Sequence, residues 1–151
     1  MPKLDRYYED YTLGEVVEAD GVSLTESDVL DFALRYDPQP FHLDREAAQR
    51  SIFGGLIASG WQTGALALRM LIQAGLIGKG SMGSPGLDEL RFLKPVRPGD
   101  TLYAKARIEA MRESASKPDR GIVLVYYWVE NHKGETVMSF KGNQLIAKRP
   151  A

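Results

Sequence analysis

Apolar residues along this chain recur first at helical spacing and then at strand spacing, and the period changes near residue 86. Val29, Phe32, Ala33 and Tyr36 follow Thr25-Glu-Ser-Asp28, a capping box with Thr25 as N-cap and Asp28 at N3. Pro38 ends that helix. Arg45–Arg50 has room for about two more turns, and Ser51–Ala58 is an apolar link broken by glycines. Ser59-Gly60-Trp61-Gln62 reads as a second capping box, opening a helix to about Ala74 with Gly75 as its left-handed end. At about 100° per residue, Gln62, Arg69 and Gln73 share a stripe roughly 40° wide, and nearly everything else is apolar. Such a helix is expected to be buried on most sides.

A helix wrapped that fully needs a curved sheet. After residue 86 the strand-like stretches are Leu87–Leu93, Thr101–Arg112, Ile122–Val129 and Thr136–Ala147. Turn signals separate them at Lys94–Asp100 and Asn131–Gly134, with a polar loop over Arg112–Arg120. Within the second stretch, alternation sets Leu102, Ala104, Ala106, Ile108 and Ala110 on one face. A weaker strand, Glu15–Ala19, lies between turn signals at Leu13-Gly14 and Asp20-Gly21. The predicted class is α+β, one antiparallel sheet wrapped around one long central helix. With 151 residues and no repeat, linker or low-complexity tract, residues 1–151 are expected to form one domain.

Composition narrows the chemistry. There is no cysteine, which excludes disulfides, thiolate catalysis and cysteine metal sites. A formal net charge of −1 offers no global attraction for nucleic acid or an anionic membrane. The N-terminus has no apolar run, so no signal peptide is expected, and the long helix is too polar and too short to span a bilayer. The expectation is a cytoplasmic protein with no membrane or nucleic-acid partner.

The candidate chemistry lies in Asp37-Pro-Gln-Pro-Phe-His-Leu-Asp44. Pro38 and Pro40 lack a backbone N–H and bar the segment from helix, giving a stiff connection able to aim Asp37 and His42 into a cleft. A carboxylate and an imidazole can share the proton of one water or substrate; a turn-capping Asp beside a satisfied surface histidine is the plainer alternative. Metal ligation by His42 and Asp44 is discounted, because the only other histidine, His132, sits in an exposed turn. Gly60 opens the long helix, whose free N–H groups favour developing negative charge, although glycine there would also allow tight packing on the sheet. Gly78–Gly83 matches G-x-G-x-x-G, but a helix precedes it and a strand follows, so it reads as a flexible connector. Lys94, Arg97, Lys141, Lys148 and Arg149 could attract phosphates or simply be solvated strand ends.

Three stretches together resemble the MaoC-like acyl dehydratases, which include the R-specific enoyl-CoA hydratases of the hotdog superfamily. They are Tyr8–Gly14, the Asp37–Asp44 segment with its glycine-led helix, and Phe92-Leu-Lys-Pro-Val-Arg-Pro-Gly-Asp100. The resemblance implies a hotdog fold and a homodimer or higher oligomer, with the acyl cleft near the subunit interface. It implies a hydro-lyase interconverting 2-enoyl and 3-hydroxyacyl thioesters, carried on CoA or on acyl carrier protein, with no cofactor and no metal. By position, Asp37 and His42 are the catalytic pair and the Gly60 N–H polarises the thioester carbonyl, with Gln39, Ser59, Lys94 and Arg97 as substrate-binding candidates. Many members have asparagine where this chain has Gln39, and histidine where it has Ser59. A hotdog thioesterase and a non-catalytic acyl-CoA-binding or partner subunit are the alternatives. Hotdog thioesterases usually place an acid on the central helix, and Trp61–Ala74 has none.

Overall fold

A computed structural model describes residues 5–151. The Thr25 box forms as expected: Thr25 Oγ1 accepts from Asp28 N at 3.1 Å, and Thr25 N donates to the Asp28 carboxylate at 2.9 Å. It opens α1 (Glu26–Tyr36). Then come α2 (Pro40–Leu43), α3 (Arg45–Arg50) and the long α4 (Gly60–Gln73), with Gly75 beyond it at φ 91°. α2 corrects the expectation that both prolines exclude helix. Pro40 is its first residue, where a missing N–H has no intrahelical partner to lose and a fixed φ suits the turn. His42 therefore stands on a single helical turn.

Among the described residues, six antiparallel strands make one sheet: β1 (Val16–Glu18), β2 (Val22–Ser23), β3 (Leu87–Phe92), β4 (Thr101–Glu113), β5 (Arg120–Asn131) and β6 (Thr136–Ala147). Their order is β1-β4-β5-β6-β3, with β2 also paired to β4. Leu102, Ala104, Ala106 and Ile108 of β4 join Val123, Val125 and Val129 of β5 and Ala67, Met70 and Leu71 of α4 in one buried cluster. Small side chains at 104 and 106 leave room for α4, which packs on β4 and β6.

Register shifts fall at three places, one of them between Val129 and Glu130 in the β5–β6 pairing, and the remaining two break the expected alternation. One falls between Ile108 and Ala110, so that Ala110 is exposed and Met111 turns toward the core, against the expected face. The other falls between Asp88 and Arg91 of β3, where Glu89 takes a left-handed φ of 52°. Strict alternation would oppose Leu87 to Leu90 and Phe92. The extra residue brings all three to the side that meets α4.

The burial expected for α4 is also corrected. One face lies on the sheet, but Trp61, Ala65, Leu68 and Ile72 form an exposed stripe at helical spacing. Gln62, placed by sequence on the polar stripe, is buried instead, and its Nε2 donates to the Asp28 carbonyl at 2.9 Å. At the other end of α4, Arg6 Nη1 donates to Gly75 O at 2.9 Å and Tyr11 Oη to Leu76 O at 2.5 Å. The glycine-rich 78–83 connector is fastened rather than loose: Ser81 bridges Ile146, and Met82 N donates to Leu145 O at 2.8 Å. Among the described residues, no helix is long and apolar enough to cross a membrane.

Candidate active site

Asp37 caps the C-terminus of α1, its N–H donating to Ala33 O at 3.0 Å, and the chain then turns into α2. The turn brings Asp37 Oδ2 to 3.2 Å from His42 Nε2. On the far side of the ring, His42 Nδ1 lies 2.7 Å from the Ile57 carbonyl. A carbonyl only accepts, so Nδ1 carries a proton, and Nε2 is the nitrogen turned to the carboxylate. The Nε2–Oδ2 contact becomes a hydrogen bond when Nε2 carries a proton as well as Nδ1. His42 is buried, which fixes the ring further.

Both carboxylate oxygens of Asp37 have neutral donors. Gln39 Nε2 reaches Oδ1 at 2.7 Å, and Ser59 Oγ reaches Oδ2 at 2.7 Å. Burial pushes this carboxyl up, but the bonds from Ser59 and Gln39, with His42 beside it, hold it below the ordinary aspartate value. The two positions that depart from the usual pattern thus converge on the acid. Ser59 is also the N-cap of α4, accepting from Trp61 N at 3.3 Å. The second capping box is not completed, because Gln62 is engaged with Asp28.

The Gly60 N–H opens α4 with no acceptor among the described residues. It faces the same cavity as Asp37 and His42, about 400 Å³ in volume, whose apolar walls include Phe53, Phe92 and Met138. A carbonyl oxygen entering here meets an unpaired N–H and the positive end of a fourteen-residue helix. Acid, imidazole and electrophilic N–H share one mostly apolar pocket, a setting that favours proton transfer on a polarised carbonyl compound.

The basic candidates are placed differently. Lys94 lines the cavity but is paired with Glu135. Arg97 is not on its wall: its guanidinium holds the Phe53 carbonyl and lines a separate cleft with Arg45 and Gly55. Lys141, Lys148 and Arg149 are engaged by Glu89, Glu113 and Asp10. His132 is exposed. Sequence reasoning missed Ile57, whose contribution is a backbone carbonyl that no residue pattern marks. It also missed Met138 and Phe92, the latter turned to the site by the irregularity in β3.

Residues 10–125 match the family model of the MaoC like domain. The chain is 37% identical to the MaoC-like dehydratase of Rhodospirillum rubrum, whose structure superposes with a TM-score of 0.91 over 97% of this chain and 99% of that one. The R-hydratase PhaJ1 of Pseudomonas aeruginosa matches with a TM-score of 0.75 at 27% identity, covering 95% of this chain and 86% of that one. A Bacillus subtilis protein, YdeM, is 29% identical over 140 residues, 93% of this chain and 98% of its own. The sheet wrapped on a helix is the hotdog fold.

Proposed function

Because this chain belongs to the MaoC-like dehydratase family, we propose that it adds water across the double bond of 2-enoyl-CoA thioesters and removes it from 3-hydroxyacyl-CoA. One observation supports the reading above the others: the Asp37–His42 pair stands in the same pocket as the unpaired Gly60 N–H.

The thioester oxygen sits at the Gly60 N–H, which draws electron density from C3. A water held between Asp37 and His42 gives its proton to Asp37 as its oxygen bonds to C3. His42, entering the step with Nε2 protonated as well as Nδ1, delivers the Nε2 proton to C2. The proton on Asp37 Oδ2 then passes to Nε2 along the 3.2 Å contact, restoring the starting pair. The Ile57 carbonyl keeps Nδ1 out of the exchange. Dehydration runs the same transfers in reverse. Gln39 and Ser59 act as positioning residues for Asp37, and neither cofactor nor metal takes part.

The test is loss of the conjugated-thioester absorbance of crotonyl-CoA and octenoyl-CoA, with free thiol followed in parallel. Hydration without thiol release is expected. Thiol release would point to a thioesterase, and acyl-CoA binding without either signal to a non-catalytic subunit.

Ser59 allows a sharper measurement. Ser59→Ala removes one donor from Asp37, so its pKa rises toward the ordinary value. The working carboxylate is then protonated at a higher pH, and the acid limb of kcat/KM moves upward. An unmoved acid limb would count against Asp37 as the base. The lost cap costs about 1 kcal/mol of stability.

We infer further that two copies meet through α4 and β3. Trp61, Leu68, Ile72, Leu87, Phe92 and Leu93 are exposed on one side, and β3 is the last strand of its sheet, with an unpaired edge. Leu68→Asp puts a charge into that stripe and is expected to halve the mass seen by light scattering. An unchanged mass places the contact elsewhere.

A further inference from the structure

Phe92 is 55% exposed, yet its ring lies against the backbone position on which the proposed chemistry depends. A methyl group at Gly60 would fall among Cδ1, Cε1 and Cζ of that ring. Three features set the ring there. The irregularity at Glu89 turns Phe92 toward α4 rather than away from it. Phe92 pairs with Met138 across β3 and β6, and Leu93 N donates to Val137 O at 2.8 Å, which anchors the end of the strand. The Trp61 indole meets the ring edge-on, centroids 6.2 Å apart. Phe92 and its three neighbours Trp61, Met138 and Val137 all line the cavity that holds Asp37 and His42.

We propose that Phe92 is a positioning residue for the acyl thioester. Its ring closes the cavity beside Gly60, so a carbonyl oxygen reaches the Gly60 N–H along one approach, the approach that sets C3 before Asp37 and His42. The ring also keeps water from the N–H, which strengthens that hydrogen bond to the developing oxyanion. Residue 60 is glycine because the ring occupies the space of a side chain, not because the ligand does. For catalysis the inference rests on the hydratase reading; for ligand placement it stands on the cavity alone.

The two demands on Gly60 separate in a cycle of wild type, Gly60→Ala, Phe92→Ala and the double variant. Each is followed by kcat and KM on the enoyl-CoA, by Kd for unreactive butyryl-CoA, and by thermal melting. Displacing the ring misplaces the reacting carbon, and a misplacement near 1 Å is worth roughly 10²-fold in rate. Phe92→Ala is therefore expected to lower kcat by about 10- to 100-fold, with a much smaller change in KM. Gly60→Ala, which pushes the ring aside, falls by a similar factor. In the double variant the methyl enters vacated space, so the loss equals that of Phe92→Ala alone. An equal Gly60→Ala penalty with and without the ring overturns the proposal, as does an unchanged kcat in Phe92→Ala. If wild type hydrates neither crotonyl-CoA nor octenoyl-CoA, the hydratase reading fails. The same non-additivity in butyryl-CoA binding then still upholds Phe92, and additive or absent binding effects overturn it.

Discussion

Replacing Asp37 with asparagine is expected to slow hydration of the preferred enoyl-CoA by about 10²- to 10⁴-fold, the range set by losing a positioned general base. Asparagine is nearly isosteric but cannot accept the proton from water. It also disturbs the donors around it. Gln39 and Ser59 each supply a hydrogen to one carboxylate oxygen, and an amide offers only one oxygen in return. Ser59 can rotate and accept instead, and His42 Nε2 can accept from the amide, so the fold should lose only about 1 kcal/mol. A large fall in rate with a small fall in melting temperature distinguishes a chemical role from a structural one. Full activity on the true substrate would remove Asp37 from the mechanism.

The second large effect lies away from the pocket. Arg6 is buried, its Nη1 on the Gly75 carbonyl and its Nη2 on both Glu15 oxygens at 2.5 and 2.6 Å. Its guanidinium also stacks 3.9 Å from the centre of the Tyr11 ring. The N-terminal segment thereby caps the carbonyl end of α4, the end a helix leaves unsatisfied. Arg6→Met keeps much of the volume but leaves Glu15 partly buried without a counter-charge and Gly75 O without its donor. Breaking a buried pair from one side costs about 3–5 kcal/mol, which for a chain of this length is on the order of 10 °C in Tm. Urea melts or calorimetry would read it directly, and a loss within about 0.5 kcal/mol, the range of ordinary surface changes, would mean the pair contributes nothing net.

Much of this architecture was legible in the residue order because local signals agreed with the global fold. The Thr25–Asp28 box, Gly75 as the end of α4, and the long strands, alternating in β4 as far as Ile108, formed as expected. The Asp37–His42 pairing was legible too, since a short stiff connection keeps two side chains close. What escaped was set by partners distant in sequence. Gln62 left its capping position for the Asp28 carbonyl, a contact created only when α1 packs on α4. Pro40 looked like a helix breaker until its place at the first position of α2 made it a helix starter. The open stripe on α4 looked like core, because an apolar face reads the same whether its own chain or a second one covers it. Ile57 contributes through an atom every residue possesses.

The irregularity at Glu89 has a consequence for how β3 can vary. Because the strand counts two residues per repeat, a single-residue insertion or deletion between Leu87 and Phe92 would exchange inner and outer positions on one side of the change. Either Asp88 would turn toward α4 in place of Leu87, or Arg91 would do so and the ring at 92 would leave Gly60. Side-chain changes along the same stretch alter one contact each. This segment should therefore accept many spellings but only one length, with its phase, rather than any single side chain, deciding what the helix sees.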